Sequence, residues 1–130
     1  MADHMLIIHG GGPTAVLNAS LYGAVKKALS SDAVGHIYGA NNGTGGVLKE
    51  AFIELEQYSQ DKLELLLQTP GTAIGTSRDA IWQEDYEKMA DILEARHIKY
   101  VLFNGGNGTM DTCGKLHKTC VSRGLDIRVM

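Results

Sequence analysis

The sequence is poor in aromatic residues, prolines and cysteines. It also has no long apolar run and no excess of positive charge, and each shortage removes a class of protein. Aromatics make up 6% of the 130 residues, with Trp82 the only tryptophan, so no stacking site for a flavin is evident and a flavodoxin-like redox module is disfavoured. The net charge of −3 provides no basic footprint for nucleic acid. No apolar run approaches the ~20 residues of a membrane-spanning helix. The opening MADHMLIIHG lacks the basic start and apolar stretch of a secretion signal. The expectation is a cytoplasmic protein with no membrane or nucleic-acid partner.

The two cysteines, Cys113 and Cys120, are seven positions apart in a helical pattern. At ~1.5 Å rise per residue their Cα atoms would stand about 10 Å apart, beyond the ~7 Å that a disulfide tolerates. They are expected to line a buried helix face with Leu116. No Cys/His group has zinc-ligand spacing. The five histidines, His4, His9, His36, His97 and His117, are scattered, and each reads as structural or exposed. The two prolines, Pro13 and Pro70, both adjoin glycine-bearing breaks.

Glycine is what the chain has in plenty: sixteen residues, against a background of ~7%. The glycines punctuate an alternation of strands and helices. MLIIH (5–9) is an apolar strand, followed by a helix with Leu17, Leu21, Ala24, Val25 and Ala28 at helical spacing. GHIYGA (35–40) is a second strand, and NNGTGG (41–46) reads as an irregular loop. FIEL (52–55) suits a short strand. SQDKLELLLQ (59–68) is helical, with Ser59 as cap and Pro70-Gly71 as stop. EDYEKMADILEARH places Tyr86, Met89, Ala90 and Leu93 on one face. KYVLFN (99–104) has the near-continuous apolar character of a parallel strand covered on both faces. A helix from about 110 to 122 follows, with Gly124 as its C′ residue, and LDIRVM begins another strand. The pattern predicts an α/β fold: a Rossmann-like, doubly wound, mostly parallel sheet with helices on both faces.

In such a sheet ligands sit at the carboxyl ends of the strands, where all three glycine-rich segments fall. HGGGPTAVLN (9–18) follows the first strand. GTAIGTSR (71–78) adds two hydroxyls and Arg78, whose forked guanidinium suits phosphate. FNGGNGT (103–109) precedes a helix whose free N–H groups and positive dipole end would face the same point. Taken singly, the last could equally be an ordinary turn with Thr109 as N-cap. Together the three loops suggest a polyphosphate laid across one sheet edge.

Residues 9–19, YGANNGTGGVL, GTAIGTSR and VLFNGGNGT, in this order and spacing, resemble the N-terminal part of the 6-phosphofructokinases, ATP- or pyrophosphate-dependent. The resemblance covers almost the whole chain. It implies phosphoryl transfer from pyrophosphate or ATP to fructose 6-phosphate, with Mg²⁺, in a homo-oligomeric parent. Gly11 and Gly12 would lie in the first donor loop. Arg78 would contact the donor phosphates and stabilise charge during transfer, with Asp79 beside it. Gly106, Asn107, Gly108 and Thr109 would form the donor loop that the family writes Gly-Asp-Gly-Ser or Gly-Asp-Asp-Ser. Asn107 stands where an aspartate organises the magnesium; its amide oxygen can still serve, but without charge. Gly108 stands where pyrophosphate enzymes often carry an aspartate that crowds out nucleotide, so ATP is permitted at this position. GGNGTMDT and GTGGVL look closer to the pyrophosphate branch. Tyr22 and Lys26 replace regulatory arginines of bacterial members, so effector control of that type is not expected.

The family's next segment, Thr-Ile-Asp-Asn-Asp with the catalytic base, would follow Met130. The expectation is therefore that residues 1–130 are the donor-binding part alone, without the base or sugar site and without turnover of their own. Two other readings stand beside this one. GGNGT also fits the Gly-Gly-Asp-Gly-Thr loop of diacylglycerol and NAD kinases. A phosphate-binding α/β module without chemistry is the third.

Overall fold

The computed structural model describes residues 3–10, 15–30, 34–41, 43–57, 82–105 and 107–130, with backbone alone at 15–20, 57, 107 and 108. Five strands form one sheet: β1 (Asp3–His9), β2 (Val34–Ala40), β3 (Phe52–Glu54), β4 (Ile98–Asn104) and β5 (Arg128–Val129). Their order is β3-β2-β1-β4-β5. The pairings β1·β2, β1·β4 and β4·β5 are parallel, and the edge strand β3 runs antiparallel to β2. Helices α1 (Ala15–Leu29), α2 (Gly43–Leu48), α3 (Gln83–Ala95) and α4 (Asn107–Ser122) connect or flank them. The expected α/β class holds. The helix expected over 59–68 and the segment 71–78 lie outside the described residues.

β1 is central because its sequence is apolar on both sides. Leu6 and Ile8 face one layer, where they pack with Val47 of α2, Tyr86, Met89, Ala90 and Leu93 of α3, and Leu116 and Cys120 of α4. Ile7 faces the other layer, with Leu21, Val25 and Ala28 of α1. All three β1 side chains are essentially inaccessible, and each contributes roughly 1.5–3 kcal/mol by leaving water. β4 is less enclosed than its apolar run suggests: Val101 is buried, but Leu102 and Phe103 are half-buried, one strand away from the centre.

The helix termini follow their local chemistry. The Asp85 carboxylate accepts a hydrogen bond from the Trp82 N–H at 2.9 Å, satisfying a free donor where α3 begins. Gly124 adopts φ 70° after α4. The Gly124 and Leu125 N–H groups then reach Val121 O and Cys120 O at 3.0 Å, the paired bonds of a Schellman end. Arg123 ties α4 to α3 through Glu87 O at 2.8 Å and through the Asp91 carboxylate. Lys26 lies over the Tyr22 ring at 5.8 Å, so these two neighbours on α1 contact each other. Both cysteines are free; Cys120 is buried beside Leu116, and Cys113 is only half-buried.

Two expectations need correction. The segment read as irregular, 41–46, runs into α2, whose sequence is GTGGVL. Glycine disfavours helix by ~1 kcal/mol each, but here tertiary packing requires it. A Cβ on Gly46 would stand 1.9 Å from Asn41 O, and Gly43 needs φ 66°. α4 also begins at Asn107, ahead of the expected position near 110, so Thr109 sits inside the first turn and is not the cap. Among the described residues no helix is long and apolar enough to cross a membrane.

His9 ends β1 at 1% exposure. Burial pushes its pKa down to about 4, so the ring is neutral at pH 7. Because the folded value lies below the ordinary 6.5, the unfolded chain takes up the proton first. Stability is therefore full above pH ~6.5 and falls as pH drops towards 4, by up to about 3 kcal/mol. Urea unfolding at pH 7 and pH 4.5 should show a smaller acid loss in His9→Gln than in the parent; equal losses would place the acid sensitivity elsewhere.

Candidate functional site

The chain runs from β1 outwards to β2, then crosses back to β4 on the other side of β1. The gap between β1 and β4 is thus the point where the winding reverses, the usual ligand crevice of open α/β sheets. His9 pairs in register with Asn104, and the Gly10 N–H donates to Asn104 O at 2.9 Å. The turns after β1 and β4 therefore leave the sheet side by side. β2 ends at Ala40 on the far side of β1, at the same edge.

Thr109 locks these turns together. It is 8% exposed, and its Oγ1 lies 2.2 Å from where a Cβ on Gly10 would be and 2.4 Å from a Cβ on Gly105. A Cβ on Gly105 would also stand 2.5 Å from Gly10 O. Any side chain at either glycine would push the turns apart. Glycine is used here for close approach.

The strand-end residues and the first turn of α4 bring no charged side chain to this edge. His9 is neutral, and neither α1 nor α4 has an acidic residue in its first turn. Asp111, one residue beyond that turn, is paired with Lys115 at 3.0 Å. Among the described residues, the positive ends of these two helix dipoles have no carboxylate in their first turns, an arrangement that attracts anions.

Of the residues singled out from sequence, Asn107, Gly108 and Thr109 form the first turn of α4 at this edge. Gly11, Gly12, Arg78, Asp79 and Gly106 lie outside the described residues. Sequence reasoning overlooked Gly10 and Gly105 as the packing glycines and His9 as the buried base of the first turn. The available signal was position: each immediately precedes or follows the end of an apolar strand.

Over residues 4–130 the chain matches the family described as Phosphofructokinase. The pyrophosphate--fructose 6-phosphate 1-phosphotransferase of Rhodospirillum rubrum is 35% identical over 108 residues, covering 83% of this chain and 27% of that protein. The protein of the same name from Halomonas elongata is 32% identical, over 98% of this chain and 32% of its own. The crystal structure of the pyrophosphate-dependent phosphofructokinase from Nitrosospira multiformis superposes with a TM-score of 0.93 at 32% identity, covering 99% of this chain and 33% of that one. The chain thus spans about a third of the length of these relatives. With the family match running nearly end to end, and with Gly10 and Gly105 meeting at the reversal point of the sheet, the chain belongs to the phosphofructokinase family.

Proposed function

We propose that this chain binds the phosphoryl donor in a phosphotransferase acting on fructose 6-phosphate, with pyrophosphate as the donor and ATP as the alternative. The observation that carries the reading is the packing of the turns after β1 and β4 around Thr109, which brings two helix N-termini to one crevice. The relatives' names favour pyrophosphate over the diacylglycerol- or NAD-kinase-like alternative. Gly108, by lacking a side chain, leaves nucleotide admissible. A cytoplasmic location and a homo-oligomeric assembly belong to the same proposal, on the family resemblance alone.

In this reading the donor's charge is met by backbone N–H groups of the turns after β1 and β4 and by Arg78, which neutralises the phosphoryl oxygens as transfer proceeds. Gly11, Gly12 and Gly106 let the main chain approach the phosphates, and Asp79 neighbours Arg78. Thr109 acts as a spacer that fixes the distance between the two turns. Asn107 can give magnesium one neutral amide oxygen at most, so the ion fits here only as one carried by the donor's own phosphates. Bound in that way, it would supply charge neutralisation.

Three measurements test this. Arg78→Ala should weaken pyrophosphate binding, read by calorimetry, by at least ~10-fold, the size expected for a charge-assisted hydrogen bond of ~1.5–3 kcal/mol; unchanged affinity would remove Arg78 from the site. In the full-length parent, Gly108→Asp adds bulk and negative charge, so kcat/KM should fall far more for ATP than for pyrophosphate. An unchanged ratio would mean that Gly108 does not select the donor. Gly10→Ala should cost about 1–3 kcal/mol of stability by overpacking. Adding Thr109→Ala should recover most of that loss, because the three nearest obstructing atoms belong to Thr109. The same rescue should fail for Gly105→Ala, where Gly10 O also obstructs; equal rescue at both sites would contradict the lock.

A further inference from the structure

The opposite edge of the sheet gathers side chains of a different kind. β3 pairs antiparallel with β2 so that Tyr38 faces Glu54. Continuing that register past the end of the strand sets Glu56 across from His36. The short 3-10 turn Leu55–Gln57 bends Glu56 back onto β2. Its Oε1 lies 2.7 Å from His36 Nδ1, and its Oε2 accepts the Ile37 N–H at 3.1 Å. One ligand atom from each of His36, Glu54 and Glu56 lies within 4.8 Å of the others.

We infer that His36, Glu54 and Glu56 form a binding site for a divalent transition-metal ion, for which Zn²⁺ is the natural probe, joining β2 to the edge strand β3 and the turn after it. The donor set is one imidazole and two carboxylates, the mixed nitrogen and oxygen chemistry that zinc accepts with three protein ligands and an open position for water. At zinc–ligand distances of ~2.0–2.2 Å, tetrahedral ligand atoms stand about 3.4 Å apart. His36 and Glu56 are already closer than that through a shared proton, which the ion would replace. A Glu54 carboxylate oxygen already lies within 4.8 Å of the other two ligand atoms.

The site is held ready from behind. The Ile37 N–H fixes the Glu56 carboxylate, which is only 18% exposed. The His36 ring packs against both His4, centroids 4.7 Å apart, and Tyr38, 5.8 Å apart, and those two rings also meet edge-on at 6.0 Å. Such supporting contacts orient ligands at metal centres. His4 itself is not a ligand here: its Nδ1 lone pair accepts the His36 N–H at 2.9 Å, which leaves the neutral ring's proton on Nε2. His36 is five residues before Asn41, about 16 Å along the strand at ~3.3 Å per residue. The site is therefore separate from the donor edge and from any magnesium carried there. Mg²⁺, which demands an octahedron of oxygens, is a poor competitor.

The test is titration of the metal-free protein with Zn²⁺ by calorimetry and with Co²⁺ by visible absorption, without phosphate compounds. One ion per chain should bind, with a Co²⁺ ligand-field band, and saturating Zn²⁺ should raise Tm by about 5–10 °C at a hundredfold excess over Kd. Glu54→Gln, which replaces a carboxylate ligand by a neutral amide, should weaken Zn²⁺ binding by at least ~10-fold, with the metal-free Tm of the variant measured alongside as the folding control. His36→Ala should abolish the Co²⁺ band, while His117→Ala, at an exposed histidine on α4, should leave it unchanged. Absence of the band in the parent, affinity unaltered by Glu54→Gln, or loss of binding on His117→Ala would each overturn the assignment. None of these outcomes bears on phosphoryl transfer, since no substrate is present.

Discussion

Thr109 can stand between the turns that follow β1 and β4 only because neither Gly10 nor Gly105 has a side chain. The rest of the carboxyl edge depends on that contact. It sets the separation of two strand ends at the point where the winding reverses. It also fixes where α4 begins, because Thr109 lies in the first turn of that helix. Gly10 and Gly105, held by close packing against Thr109 and not by long side chains, leave the two strand ends little freedom to part. That suits a site whose task is to present N–H groups to an anion.

The same edge is supported from below by β1. Leu6, Ile7 and Ile8 are buried on alternate faces, so the strand cannot slip by one residue without exchanging its two apolar sets. His9 continues this burial to the last residue of the strand. Its neutrality means that the layer beneath the turns adds no charge of its own. The packing that holds β1 between two helix layers thus continues through His9 to Gly10.

Much of this was legible in the sequence, and the parts that were not have a common cause. Tyr86, Met89, Ala90 and Leu93 announced the buried face of α3 by spacing alone, and MLIIH announced a central strand. The glycine runs beginning at Gly10 and Gly105 follow β1 and β4, so they indicated where the chain leaves the sheet. What local pattern could not show were contacts created by register. α2 reads as a loop because glycine and asparagine disfavour helix locally, whereas Gly46 is demanded by the Asn41 carbonyl beside it. Gly10 and Gly105 read as two more glycines until the β1·β4 pairing sets them against one threonine. His36 lies eighteen positions from Glu54 and looked isolated; only the antiparallel turn of β3 makes them neighbours. Of the donor-site residues proposed from the family pattern, Asn107 to Thr109 lie in described structure, while Arg78 rests on sequence.

The two ends of the sheet divide the chemistry between them. The amino end carries histidines and carboxylates in contact, with Glu56 on His36 and Lys99 between Asp3 and Asp126. At the carboxyl end the strand ends and helix starts, His9-Gly10, Ala40-Asn41, Asn104-Gly105 and Asn107 to Met110, bring no formal charge. An anion there meets dipoles and N–H groups, each individually weak and fixed in direction. A polyphosphate bears several negative charges at once, and dipoles worth ~0.3–1 kcal/mol apiece at an exposed helix end do not neutralise them. The proposed site therefore needs a mobile cation brought by the donor and one built-in cation from the protein. Among the residues proposed to line it, Arg78 is the sole positive charge. In the proposed site, selectivity for how many phosphates are bound would then be set by space, and there the absent side chain at Gly108 would count beside the charge of Arg78.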